Sequence, residues 1–196
     1  MIQIDYTPDK EKPFLEPLET PPNFKMKIAY FFTRRQFGKV ITPLKVHSAR
    51  LPFAFSQFYR QLPSLDNKLI LPEETALLIR DYVSHLNVCL FCQDSNRWMT
   101  IKRKFNQEKF DKIIDYETNP LFTEKERILL NYVTELTQNK KVNQQTFNRL
   151  LVYYSEREIC EIVYLVASEH LYNITNIALN IHSDMLCDTT EIRKNA

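Results

Sequence analysis

The sequence is almost devoid of glycine. Gly38 is the single glycine among 196 residues, whereas an average protein contains about 7% glycine. Tight two-residue hairpin turns and glycine-rich phosphate loops both depend on this residue. Hairpin-rich β folds and phosphate-loop nucleotide sites are therefore almost excluded.

An excess of one charge and long apolar runs are also missing. The 26 lysines and arginines nearly balance the 24 aspartates and glutamates, and the basic residues are scattered, so we expect no nucleic-acid partner. The N-terminus has neither the basic start nor the apolar core of an export signal, and no apolar run approaches the ~20 residues that span a bilayer. A soluble, cytoplasmic protein without a membrane partner is the expectation.

Proline is concentrated at the N-terminus, where residues 1–22 hold half of the ten prolines. This segment is predicted to be an extended arm that lies along the body or along a neighbouring subunit, with a disordered tail as the alternative. The remaining length suits one hydrophobic core, so residues 23–196 are predicted to form a single helical domain.

Helical periodicity and N-capping patterns recur along the rest of the chain and predict an all-α protein with at least five helices and no substantial sheet. The aromatic residues of the first helix and the apolar stripe of the last are expected in the core. The predicted helices are Phe24–Phe37, Pro43–Pro63, Leu71–Leu86, about Cys89–Phe105, Glu124–Thr137, Asn143–Tyr153 and a long run from Ser155 to Ile181.

Cys89 and Cys92 concentrate the reactive side chains. Two thiols at this spacing, without an export signal, indicate a redox pair or half a metal site, and two small buried apolar residues are the alternative. A predicted break at Asn87–Val88 starts a new helix near Cys89, and a helix N-terminus favours a thiolate. A zinc site would need further ligands brought by the fold, such as Cys160, Cys187 or His182, so we expect no metal and no cofactor.

Two histidine-containing groups are further candidates. His85 precedes Cys89 by four residues and could accept a proton from a thiol, although a surface histidine at a helix end is the alternative. Glu169 and His170 could form an acid–base pair, but nothing in the sequence connects them to the cysteines.

The segment Leu86-Asn87-Val88-Cys89-Leu90-Phe91-Cys92 resembles the Leu-Asn-Gly-Cys-x-Tyr/Phe-Cys signature of carboxymuconolactone decarboxylase and alkylhydroperoxidase D-like proteins. Ser48–Pro52 resembles the start of a helix upstream of the signature in that family. Downstream, Leu121–Thr137 and Phe147–Ile162 resemble its second half. The resemblance covers residues 30–182, and this set of motifs is much more specific than an isolated Cys-x-x-Cys.

The resemblance implies an alkylhydroperoxidase D-like (AhpD-like) helical bundle that forms homo-oligomers. It also implies a peroxidase-type oxidoreductase, in which Cys89 and Cys92 cycle between dithiol and disulfide, Cys92 attacks a small hydroperoxide, and a dithiol electron donor restores the pair.

The proton relay of the family is not present in this chain. Leu77 stands at the position of the family's glutamate, and Asn96 stands at the position of its histidine, so the thiol lacks its usual base. A non-catalytic oligomeric module of the same fold is therefore the alternative to a reductase. A decarboxylase-like lyase is a second, weaker alternative.

Overall fold

Helices make up the regular structure of the described residues. A computed structural model describes residues 12–55, 57 and 61–187, and no strand occurs in these ranges. The described residues also include a π-helical turn at Leu44–Ser48 and a 3₁₀ turn at Ile113–Asp115. The α-helices are α1 (Phe24–Phe37), α2 (Pro52–Phe55), α3 (Leu62–Asp66), α4 (Glu73–Leu86), α5 (Leu90–Arg103), α6 (Gln107–Asp111), α7 (Glu124–Asn139), α8 (Gln144–Leu151) and α9 (Glu156–Ile177).

The helix boundaries agree with the local capping signals, and the all-α prediction is confirmed for the described residues. Helix α1 ends at Gly38, whose φ of 76° places it in the left-handed region that glycine adopts without steric cost. Helix α7 begins with a capping box in which Thr123 and Glu126 satisfy each other's backbone N–H groups. These ends are determined by neighbouring residues, which is why the sequence predicted them.

The predicted helix Pro43–Pro63 is wrong. The chain forms the π-helical turn, leaves helical structure at Leu51, and then forms the short helices α2 and α3 around a gap in the described residues. Leu51 is 53% exposed and Phe53 is 79% exposed, so the wide burial expected here is absent at both positions. Pro52 explains the break, because the residue before a proline is pushed out of helical geometry.

The burial expected for some apolar residues is also wrong. On α1, Met26 and Tyr30 are buried, but Phe31 and Phe32 are 61% and 60% exposed. Helical periodicity predicts that residues share a face but does not decide whether that face meets another element. On α9, whose apolar stripe was expected to be buried, Val163 and Ile174 are likewise exposed.

The chain divides into two compact units. The first contains the described residues up to Lys68 and those from Ile174 onward, and the second is Leu69–Asn173. The single domain predicted for residues 23–196 stays a prediction.

In the first unit, a small core of Met26, Tyr30, Val40, Leu44 and Ala49 packs beneath the described part of the N-terminal arm. The Tyr30 hydroxyl donates to the Leu18 carbonyl at 2.7 Å, and the Leu18 N–H donates to the carbonyl of Lys45 at 3.2 Å. Residues 12–22 therefore lie along this unit, and the rest of the predicted arm, residues 1–11, lies outside the described residues.

In the second unit, a larger core is built from α4, α7 and α9, with α5 and α7 packed on α4. Buried Glu161 of α9 accepts the N–H groups of Ile70 and Leu71, at 3.0 Å in each case, and thereby attaches the start of the unit to its last helix. No helix in the described ranges has the length and apolar character needed to cross a membrane.

Candidate active site

The turn between α4 and α5 carries the Cys-x-x-Cys segment. Asn87 closes α4, and Cys89 is the N-cap of α5, as the predicted break required. The Cys89 N–H donates to the Ser84 carbonyl at 2.9 Å. Val88 lies between the two helices with a φ of 56°. A β-branched residue is strained in this region, and the signature discussed above has glycine at this position.

Cys89 and Cys92 form a disulfide, with their Cα atoms 5.3 Å apart. Cys89 is 1% exposed and Cys92 is 5% exposed. Cys92 is the third residue of α5, so it lies in the first helical turn, where unpaired N–H groups and the helix dipole would favour a thiolate after reduction. The structure thus brings the predicted pair together and buries both sulfurs.

The ligand set that zinc would require is not assembled in the part of the chain that the structure describes. No group of three or more His, Cys, Asp or Glu side chains in those ranges could hold a metal ion. Cys160, one of the cysteines considered for such a site, is an exposed free thiol on α9.

His85 occupies the last turn of α4 beside Asp81. Its Nε2 lies 3.7 Å from Oδ2 of Asp81, which is 4% exposed. Burial lowers the pKa of His85. Burial is the main cause that raises the pKa of Asp81 to about 8. The charges of Glu169 and Asp111 raise this pKa further, and the charge of Arg97 lowers it. Both shifts favour the uncharged forms, so at neutral pH we treat the two side chains as a neutral acid and a neutral imidazole rather than as an ion pair.

A chain of buried hydrogen bonds leads away from the cysteines. Asn96, one helical turn after Cys92, donates through Nδ2 to Ser84 Oγ at 3.0 Å. Ser84 Oγ lies 2.9 Å from Oε1 of Glu169 on α9. Burial raises the pKa of Glu169, and this effect exceeds the opposing effects of Arg80, Ser84 and Asn173. The three helices α4, α5 and α9 therefore meet in one polar network beside the disulfide.

The positions that replace the family's relay have different environments. Leu77 is buried in the hydrophobic core of the second unit, where an aliphatic side chain cannot act as an acid or a base. Asn96 is also buried, and its amide is committed to Ser84. Glu73 does not replace the missing glutamate, since it pairs with Arg103 at 2.9 Å on an exposed surface.

Sequence reasoning missed Ser84, Asp81 and Asn173 and left Glu169 without a role. A signal existed in α9, where Ser168, Glu169 and Asn173 interrupt an otherwise apolar stripe. All three are buried. Polar residues at core positions of a helix need partners, but periodicity alone does not say which helix supplies them.

Sequence comparisons relate the chain to a distant curated relative. No family model matches the chain. The uncharacterised protein YnjA of Escherichia coli strain K12 is 25% identical over 162 residues, which are 82% of this chain and 88% of YnjA.

Several solved structures superpose well on this chain although their sequence identity to it is low. An alkylhydroperoxidase AhpD core protein from Ralstonia eutropha JMP134, described as peroxidase-related, superposes with a TM-score of 0.76 at 16% identity and covers 90% of this chain and 96% of its own. A cysteine-to-alanine form of the debrominase Bmp8 in complex with 2,3,4-tribromopyrrole gives 0.72 at 18% identity, with 91% and 96% covered. A putative antioxidant defence protein AhpD from Agrobacterium tumefaciens gives 0.66 at 21% identity, with 70% and 96% covered.

The chain has the AhpD-like fold. The fold expected from the sequence resemblance is thereby confirmed. In this AhpD-like fold, the disulfide-bonded pair lies at the N-terminus of a helix, and buried carboxyl groups lie on two of the neighbouring helices.

Proposed function

We propose that the protein is a thiol-dependent peroxide and disulfide reductase, with Cys89 and Cys92 as its redox pair. The observation that carries this proposal is the disulfide between these residues at the start of α5. The AhpD-like fold supports it further, since solved proteins with this fold include peroxidase-related ones.

The reaction divides between the two sulfurs. The Cys92 thiolate attacks one oxygen of a hydroperoxide, the O–O bond breaks, and an alcohol leaves after it takes up a proton. Cys92 is then a sulfenic acid. The Cys89 thiolate attacks the sulfur of this sulfenic acid, the S–O bond breaks, and the disulfide forms. The departing hydroxide takes up a proton and leaves as water. A dithiol donor is oxidised to its own disulfide while it returns Cys89 and Cys92 to thiols.

Proton transfer would depend on groups other than the family's relay. His85 is the candidate base for a cysteine thiol, and neighbouring Asp81 is a candidate proton donor because it holds its proton near neutral pH. Since neither residue occupies the family's relay positions, we expect peroxide reduction to be slow compared with relatives that contain the glutamate and histidine.

Self-association is part of the proposal. Phe24, Ile28, Phe31 and Phe32 are 44–74% exposed and recur at the spacing of one helical face. An exposed apolar stripe of this kind indicates an interface, and homo-oligomers are what the family resemblance implies. We further propose a cytoplasmic, soluble protein that binds neither nucleic acid nor a membrane.

A non-catalytic module of the same fold is the second candidate. The burial of both sulfurs favours it, because a redox site needs at least one sulfur that a substrate can reach. A decarboxylase-like lyase has less support, since no set of arginines or lysines at a recognisable spacing in the sequence would hold a substrate carboxylate.

A hydroperoxide consumption assay with dithiothreitol as donor separates the candidates. We expect turnover by the parent and by Cys160→Ser, which removes the exposed thiol of α9 and serves as the matched control. Cys89→Ser and Cys92→Ser should each lose dithiol-dependent turnover, because one thiol attacks and the other resolves the sulfenic acid. Hydroperoxide consumption at the parent rate in both of these variants would establish the module instead.

A further inference from the structure

Glu169 is the branching point of the buried network on α9. Glu169 is 4% exposed. The same atom, Oε1, lies 2.9 Å from Ser84 Oγ and accepts a hydrogen bond from Asn173 Nδ2 at 2.7 Å. From this atom, two paths of hydrogen bonds lead to the Cys-x-x-Cys segment.

The first path passes through Ser84. Its hydroxyl accepts the amide of Asn96 at 3.0 Å, one turn beyond Cys92. Its carbonyl accepts the N–H of Cys89 at 2.9 Å and the Nε2 amide of Gln93 at 3.2 Å. Ser84 thus joins Glu169 to the backbone of Cys89 and to the first two turns of α5.

The second path passes through Asn173. Its Oδ1 accepts the side-chain amide of Asn87 at 2.8 Å. Asn87 closes α4 and lies two residues before Cys89. The two paths therefore hold the turn on both sides: one binds Asn87 at the end of α4, and the other binds the start of α5.

We propose that Glu169 is a positioning residue, which holds Cys89 and Cys92 in register for disulfide exchange through Ser84 and Asn173. This inference rests on the proposed redox function and deepens it. Leu77 contributes no carboxyl group where the family has one, and Glu169 contributes one from a different helix. Side chains that orient reactive groups from behind act by restricting their geometry, as the outer-shell partners of metal ligands do.

Hydrogen bonding rather than charge carries this role. The Ser84 hydroxyl has one proton, which it can donate to Oε1 of Glu169 at 2.9 Å or to the Arg80 carbonyl at 2.8 Å. The charged or titratable groups facing Glu169 are Arg80, whose Nη1 is 3.4 Å away, and Asp81. A glutamine that places its amide oxygen at the position of Oε1 can accept from both Ser84 and Asn173 without carrying a charge.

The test compares the disulfide–dithiol equilibrium of the full-length protein against dithiothreitol in the parent, Glu169→Ala and Glu169→Gln. Glu161→Ala is the matched control, since Glu161 lies on the same helix, is equally buried, and bonds to Arg157 and backbone N–H groups away from the cysteines. We expect Glu169→Ala to shift the equilibrium toward the dithiol by about tenfold, the lower end of what such outer-shell changes cost. Glu169→Gln and Glu161→Ala should both stay close to the parent.

Three results would overturn the inference: a Glu169→Ala equilibrium equal to the parent's, an equal shift in Glu161→Ala, or an equal shift in Glu169→Gln. If far-UV circular dichroism shows that Glu169→Ala does not fold, Ser84→Ala and Asn173→Ala decide, because each removes one path. A shift of the disulfide–dithiol equilibrium in either variant supports the inference. An unchanged equilibrium in both variants refutes it. A parent that forms the disulfide reversibly without peroxide turnover would reject the proposed function alone, because this equilibrium measures positioning without turnover.

Discussion

Replacing Asp81 with asparagine should change how the stability of the protein depends on pH. Asp81 is 4% exposed, and burial, together with the nearby charges of Glu169 and Asp111, raises its pKa to about 8. An aspartate in an unfolded chain has a pKa of about 3.9. Between these values the folded protein holds a proton that the unfolded chain has released.

The direction of the effect follows from this difference. Stability contributed by a proton held in the folded state is complete below pH ~4 and is lost as the pH rises toward 8. The expected slope is a loss of about 1.4 kcal/mol in the free energy of unfolding per pH unit, or roughly 3 kcal/mol across two units. Asp81→Asn carries no such proton. Its free energy of unfolding relative to the parent's should therefore increase by this amount as the pH rises by two units.

Urea unfolding of the parent and Asp81→Asn at several pH values from about 5.5 to 7.5 measures the difference, within the interval where only the folded state holds the proton. Buried histidines shared by both proteins largely cancel in this comparison. Glu161→Gln is the control: burial acts to raise the pKa of Glu161, but hydrogen bonds from Arg157, Leu71 and Ile70 lower it overall. Its stability difference should be flat over the same interval, because Glu161 is ionised in both states. An equally flat difference for Asp81→Asn would refute the argument that Asp81 is a protonated buried acid.

Three further outcomes are expected. Val88→Gly should raise the free energy of unfolding by about 1 kcal/mol, because relief of the left-handed strain exceeds the backbone entropy cost of glycine; a lower urea midpoint than the parent's would contradict this. Thr123→Ala should lower it by about 1 kcal/mol through loss of the capping box of α7, and an unchanged midpoint would show that the cap contributes nothing. The double change Phe31→Ser and Phe32→Ser should shift sedimentation toward the monomer, and an unchanged oligomer would show that this face of α1 is not the interface.

Local sequence determined where most helices begin and end and placed the two cysteines at a helix N-terminus. The capping box at Thr123, the left-handed Gly38 and the break after Asn87 all involve residues within a few positions of one another. Interactions of this range are fixed by nearest neighbours, so a pattern of residue types is enough to predict them.

Tertiary structure decided the environment of the site. Glu169 and Ser84 are 85 positions apart along the chain, yet their side chains lie 2.9 Å from each other because α9 packs against α4 in the second unit. The high pKa of Asp81 likewise comes from burial and from charges on other helices. Packing between distant segments decides which face of a helix meets another element of the same chain and which face stays exposed, as at Phe31. Periodicity within one helix carries no information about that partner.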